Sequence, residues 1–313
     1  MLRLTLQRGG MGERRLPNTM TRSGALWLLG GLVFAGACAQ REPPLGVGSK
    51  NFAEELLLGE MYARLLEHAG LPVRRRLNLG GTNIAMASIL RHEIDLYPEY
   101  TGTALLAQLK LAPLHDRATV YQTVKREYAA RYGLTWLDPA PMNDSQALAT
   151  TARTAQRLHL YRLSDCARLA PQLRLGAVPE FTDRPDGLPG LQKAYGGFQF
   201  QSIKLIDIGL KYAALLQGQV DVVVAFSTDG QIDAHHLVVL DDDKHFFPPY
   251  QVAPVVRSDS IARFPRIPGA LNPLAPHLTD AIMRHLNWRV DGKHEEPADV
   301  AADFLAGVGL VPR

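Results

Sequence analysis

Cysteine is nearly absent from this 313-residue chain: there are two, Cys38 and Cys166. The fold must therefore hold by an apolar core rather than a disulfide framework, and 46% hydrophobic residues supply one. No long apolar run follows residue 37, so no membrane-spanning domain is expected beyond it. An excess of one charge is also missing. The formal net charge is +3, but residues 1–37 carry five arginines against Glu13 alone; without them 29 basic residues face 30 acidic ones. That balance argues against a nucleic-acid surface. Familiar catalytic signatures are absent too: no Gly-x-Ser-x-Gly elbow, no His-Glu-x-x-His, no Gly-x-Gly-x-x-Gly and no complete phosphate loop. Gly48-Ser49-Lys50 lacks the upstream half of such a loop. His235, His236 and His245 lack metal-ligand spacing and read as surface histidines, and Asp241-Asp242-Asp243 reads as a cap or solvated turn. An enzyme is not expected, and neither a metal nor a cofactor is.

What the N-terminus does contain is a targeting pattern. Met20-Thr21-Arg22 supplies a positive start, and an apolar, glycine-rich run extends from Ala25 to Ala37. It is short for a transmembrane helix and ends in small residues before a cysteine, Ala35-Gly36-Ala37-Cys38. Residues 1–37 thus read as a signal peptide of the bacterial lipoprotein type, with Cys38 the lipidated residue. Ala35 stands where such signals usually carry Leu, so ordinary cleavage after Ala37 or Ala39 is the alternative. The segment before Met20 reads as an upstream, misassigned start.

Residues 38–44 form a polar, proline-containing tether. Leu45 to Val47 reads as a strand, 53–69 as an amphipathic helix carrying Leu57, Leu58, Met61, Tyr62, Leu65 and Leu66 on one face, and 73–79 as a second strand. Arg74-Arg75-Arg76 reads as a solvated edge. Gly80-Gly81 makes a turn, Thr82 is the predicted N-cap of a helix to about Arg91, and Ile94 begins a third strand. Such β-α-β-α-β alternation implies an α/β fold with a mostly parallel sheet. The pattern returns at an offset of 126: TNIAMASILRHEIDLYPEYTG at 82–102 aligns with IGLKYAALLQGQVDVVVAFST at 208–228. Asp95 falls on Asp221 and Tyr100 on Phe226. Either these are two ordinary βα units, or they are two lobes, each presenting an aromatic at the carboxyl end of a strand, where open α/β sheets bind ligands. Segments 146–149 and 251–256 are taken as the crossings between lobes, and helices around 276–288 and 297–306 as a return to the first.

Aromatics are placed unusually, in turns. Tyr97-Pro98-Glu99-Tyr100-Thr101-Gly102-Thr103 and Phe246-Phe247-Pro248-Pro249-Tyr250 set rings beside predicted strand ends. Rings facing one point hold a trimethylammonium group, which cannot donate a hydrogen bond. Lys50, Arg184 and Thr103 are the polar partners that would suit a carboxylate on the same ligand. Arg184 could equally brace its own loop through Asp183 or Asp186.

Six segments carry a resemblance: GSKNFAEELLLGEMYARLLE, LNLGGTN, EIDLYPEYTGTALL, RPDGLPGLQKAYG, VDVVVAFSTDGQI and LDDDKHFFPPYQVAPVVR. In this order they resemble the glycine betaine/choline/carnitine-type binding proteins of osmoprotectant ABC importers, over residues 45–311. The resemblance implies a two-lobed periplasmic binding protein fold of the two-crossing type (type II). Lobe one would comprise 45–145 and 252–313, and lobe two 146–251. It implies a monomeric periplasmic receptor, lipid-anchored, that delivers a quaternary-ammonium solute to a separate ABC permease and hydrolyses nothing itself. By motif, the cage positions fall on Tyr100, Phe226, Tyr250 and Gln146, and the carboxylate ligands on Lys50, Thr103 and Arg184. Two positions depart from the family. Phe226 lacks the hydroxyl of the usual Tyr, and Gln146 stands where a fourth Tyr is expected, so a different polar solute is the alternative ligand.

Overall fold

The computed structural model describes residues 42–312, so the signal peptide expected over 1–37 and the lipidation expected at Cys38 lie outside the described residues. Ten short strands follow in chain order: β1 (Leu45–Gly48), β2 (Val73–Arg76), β3 (Leu96–Tyr100), β4 (Leu134–Trp136), β5 (Gln146–Thr151), β6 (Arg174–Ala177), β7 (Ser202–Leu205), β8 (Val222–Phe226), β9 (Leu237–Val239) and β10 (Val252–Arg257). They make two five-stranded sheets, ordered β2-β1-β3-β10-β4 and β7-β6-β8-β5-β9. In each sheet one strand runs against the other four: β10 in the first and β5 in the second. The mostly parallel expectation therefore holds.

The two sheets share one topology with one exchange. The antiparallel strand of each is the first strand formed after the chain has left the other sheet. This corrects the reading of 146–149 and 251–256 as crossings: those residues are largely β5 and the start of β10, and the passages themselves are 137–145 and 240–251. Extended, apolar residues entering a sheet and residues bridging two sheets look alike in sequence.

The 126-residue repeat is structural. Asp95, just before β3, accepts from the Gly46 amide in β1 at 2.7 Å. Asp221, just before β8, accepts from the Arg174 amide in β6 at 2.9 Å. The reciprocal bonds, Asp95 N to Gly46 O and Asp221 N to Arg174 O, complete the same clip in both sheets. Each clip fixes the register of neighbouring parallel strands and so the height at which Tyr100 and Phe226 emerge. Asp95→Ala and Asp221→Ala should each cost about 1–3 kcal/mol, read as a lower urea midpoint, because a strand-end amide loses its partner; unchanged midpoints would show the clips to be dispensable.

Helix α1 (Ala53–His68) carries the predicted apolar residues, but it is covered on nearly every side rather than amphipathic. Leu57, Leu58, Met61, Leu65 and Leu66 share a core with Met283 and Leu286 and with Val300, Ala301 and Leu305, which come from the two C-terminal helices, Asp280–Asp291 and Pro297–Gly307. The end of the chain thus returns onto the first sheet. Thr82 is not the N-cap of its helix: Gly81 is, in an extended conformation, and Thr82 is the first helical residue. Strand β2 is an edge, and its Arg75 is held by Glu60 and Glu67. Cys166 is buried in the core of the second sheet.

Candidate functional site

Strands β1, β3, β6 and β8 run parallel within their sheets, and their carboxyl ends open onto a single cavity of about 400 Å3. All seven residues singled out above line it: Lys50, Tyr100, Thr103, Gln146, Arg184, Phe226 and Tyr250. Strand pairing explains why. Tyr100 ends β3 opposite Val252 of β10, two residues after Tyr250. Gln146 begins β5 directly opposite Phe226, the end of β8. Gly102 lets Tyr250 close in; a Cβ there would sit 2.7 Å from the Tyr250 ring.

One ring escaped the sequence reading. Phe52 stacks on Tyr100, with centroids 6.3 Å apart, and on Phe226 at 6.2 Å and nearly parallel. It joins a ring of the first sheet to a ring of the second. Its signal was present, since it lies two residues after Lys50 in the turn behind β1. A lone apolar turn residue before a helix more often packs into the core, so the sequence by itself does not mark Phe52 as a site residue.

The basic side chains are not free point charges. Lys50 is 3% exposed, and its Nζ lies 2.7 Å from Glu99 Oε1 and 3.5 Å from Glu55 Oε1. The same ammonium sits 4.7 Å from the centre of the Tyr100 ring. Arg184 makes a two-pronged pair with Asp186, through Nε to Oδ1 at 2.8 Å and Nη2 to Oδ2. The bracing role considered for Arg184 is therefore present, through Asp186 and not Asp183. Its Nη2 also reaches Thr103 Oγ1 at 3.4 Å, a contact from the second sheet's loops to the first sheet. Burial works to lower the Arg184 guanidinium, and the Asp186 carboxylate outweighs it, so the group stays charged. A second lysine, Lys211, places its ammonium 4.4 Å from the Phe226 ring centre and pairs with Asp229 at 2.7 Å.

Carboxylates thus outnumber cations around the rings. Glu54 accepts from the Tyr100 hydroxyl at 2.7 Å, and Asp144 accepts from Thr228 Oγ1 at 2.6 Å. Burial pushes both carboxyls up, with neighbouring Asp229 adding to the shift of each. Gln146 is engaged as well: its Nε2 donates to Asp186 at 2.6 Å and reaches the Tyr250 hydroxyl at 3.4 Å. Rings, paired cations and surplus carboxylates form a chamber suited to a small cation or zwitterion.

A family model described as the substrate-binding domain of ABC-type glycine betaine transport systems matches residues 43–307. The chain belongs to this family. It is a solute-binding protein and not an enzyme. It is 36% identical to the glycine-betaine-binding protein of Pseudomonas aeruginosa, over 92% of this chain and 94% of that one. It is 35% identical to the ergothioneine transport permease/ergothioneine binding protein EgtU of Helicobacter pylori, over 91% of this chain, but it spans only half of that relative's length. A crystal structure of a glycine betaine/carnitine/choline ABC transporter protein superposes with a TM-score of 0.70 at 31% identity, covering 85% of this chain and 99% of that one. The family fold is two-lobed, with one sheet in each lobe, and the cavity lies between them. No described helix is long and apolar enough to cross a membrane.

Proposed function

We propose that this chain is the extracytoplasmic receptor of an ABC importer and that it closes its two lobes on a quaternary-ammonium solute such as glycine betaine or choline. The observation that carries this reading is the row Tyr100, Phe52 and Phe226, which spans both lobes at one cavity beside Lys50, Thr103 and Arg184. A solute touching both lobes stabilises the closed state by its differential affinity for that state. The rings would hold the trimethylammonium head, and Arg184 with Thr103 and Lys50 a carboxylate. Lobe one, residues 45–145 and 252–313, would move against lobe two, 146–251, about the passages at 137–145 and 240–251. The leader over 1–37 would export the chain, Cys38 would anchor it by lipid, and a separate permease would take the solute. The receptor acts as a monomer in this scheme.

A second reading keeps the importer role but changes the solute. It is favoured by Gln146, whose amide is bound to Asp186 and Tyr250 where a further ring would close the cage.

Titration of the purified mature chain by calorimetry, with glycine betaine, choline, carnitine and ergothioneine in parallel, tests both readings. Silence for every quaternary amine up to millimolar concentration rejects the first. Phe226→Ala should weaken the best ligand by between about two- and thirtyfold, the worth of one ring against a cation. Phe226→Tyr should retain it. Equal affinity in Phe226→Ala would remove that ring from the cage.

A further inference from the structure

Two helices meet across the lobes at a point that the solute chamber does not include. Helix Asp280–Asp291 is part of the first sheet's core through Met283 and Leu286. Helix Gly230–Ala234 follows β8 of the second sheet. Their backbones touch at Gly230. A Cβ there would lie 2.5 Å from the Trp288 amide nitrogen and 2.7 Å from the Arg284 carbonyl oxygen. No rotamer change relieves a clash with backbone, so only glycine permits this approach. Around it Arg284 Nε donates to the Ser227 carbonyl at 2.9 Å and Asn287 Nδ2 to the Thr228 carbonyl at 2.9 Å. The Trp288 ring meets His235 edge-on, with centroids 5.8 Å apart.

The glycine is not there for its own helix. Gly230 is the first residue of that helix and has no positive φ, so its backbone suits any side chain. Glycine is also a poor helix former. What demands it is the helix of the opposite lobe.

The contact stands beside the first passage between the lobes. Asn143 donates its amide to Asp280 Oδ1 at 2.7 Å, and its carbonyl accepts from Ser227 Oγ at 2.6 Å. One passage residue is thus bonded to the start of both touching segments. Thr228, Gln231, Asn287 and Asp291, from the same two segments, line a second cavity of about 200 Å3 that adjoins the first through Phe52 and Asp144. The contact therefore lies on the cleft side of the passage.

Resting on the two-lobed receptor reading above, we propose that the Gly230–Trp288 contact is the pivot against which the lobes close, and that Gly230 sets solute affinity without touching solute. Phe226 immediately precedes Ser227, so the depth of this contact sets how near its ring comes to Phe52, now 6.2 Å away. A spacer on the cleft side of a hinge holds the lobes apart. A solute that binds only the closed form then binds with an apparent affinity reduced by the fraction of chains closed.

In calorimetry Gly230→Leu should weaken glycine betaine and choline by the same factor, at least about tenfold, because a closure defect does not distinguish head groups. Gly230→Ala should act in the same direction and less. Its helix accepts alanine, so it carries the test if Gly230→Leu fails to fold. Pulsed electron paramagnetic resonance gives a readout without solute. Spin labels at Ile84→Cys and Leu210→Cys, in a chain carrying Cys38→Ser, sit on exposed residues just beyond Thr82 and Ile208, which line the first chamber from opposite lobes. The Gly230 variants should show a longer label separation than the parent. Unchanged affinity and separation overturn the pivot and leave the receptor reading intact, as does a loss confined to one solute at unchanged separation. If neither amine binds the parent, the ligand reading falls, and the label separation alone decides the pivot: longer in the variants upholds it, unchanged overturns it.

Discussion

Asp186→Ala should weaken solute binding by at least about 100-fold and lower folding stability by roughly 3 kcal/mol. Asp186 is fully buried and collects four donors: Arg184 Nε at 2.8 Å, Arg184 Nη2, Gln146 Nε2 at 2.6 Å and the Tyr250 hydroxyl at 2.6 Å. Three of the seven cleft residues are therefore oriented by one carboxylate. Removing it leaves a guanidinium, only 19% exposed as a side chain, with no counter-charge. Breaking a buried pair from one side is costly for that reason, far more than the pair itself is worth. The unpaired Arg184 would turn toward water or toward the cavity, and Tyr250 and Gln146 would lose the bonds that hold them. Asp186→Asn should fall between, since an amide accepts from one donor but opposes others. Urea unfolding and calorimetry read the two effects separately. A variant that binds within about threefold of the parent would show that packing alone holds these side chains.

The sequence made the strand-end residues legible because each lies beside a motif with its own local logic. Tyr100 and Phe226 follow matched Asp-initiated strands, and the clips made by Asp95 and Asp221 turn that similarity of text into similarity of position. Lys50 and Arg184 stand in the loops after β1 and β6, equivalent strands of the two sheets. What stayed hidden depends on groups distant in the chain. Locally Asp186 reads only as a brace for Arg184, because its bonds to Gln146 and Tyr250 join residues 40 and 64 positions away. Asp144 carries no mark in the sequence, since its raised carboxyl emerges only once burial sets it beside Glu54 and Asp229. Asn287 meets Glu54 across 233 residues, and no periodicity announces such a meeting. Thr82 failed as a cap for a simpler reason: with Gly81 extended before it, the helix begins one residue early.

The unliganded chain should lose stability as pH rises, by roughly 3 kcal/mol between about pH 5.5 and pH 8.5. Lys50 is one cation facing two buried carboxylates, Glu99 at 2.7 Å and Glu55 at 3.5 Å. It cannot neutralise both. Glu99 has the shorter bond, and burial drives the other carboxyl, Glu55, from 4.5 up to about 8 against the opposing pull of Lys50. Between those two values the folded chain keeps a proton that the unfolded chain has released. More protons on the native state mean a falling stability with rising pH across that window and a flat response below it. Glu54 and Asp144 are raised by burial in the same sense, and Asp291 up to about 6. Carboxyls held low, such as Asp221 beside Arg174, act only at more acidic pH. Glu55→Gln should flatten most of the slope, because its side-chain oxygen can still accept from the Lys50 amide, 2.9 Å away in the parent, without a charge to bury. Urea unfolding at the two pH values decides it: a stability that climbs toward alkaline pH, or an equal slope in Glu55→Gln, would mean that Glu55 is ionised in the native state. Saturation with a quaternary-ammonium solute should also reduce the slope. A fixed cation beside Tyr100 lowers the cost of ionising the carboxyls around it, so binding near neutral pH should release protons to the buffer.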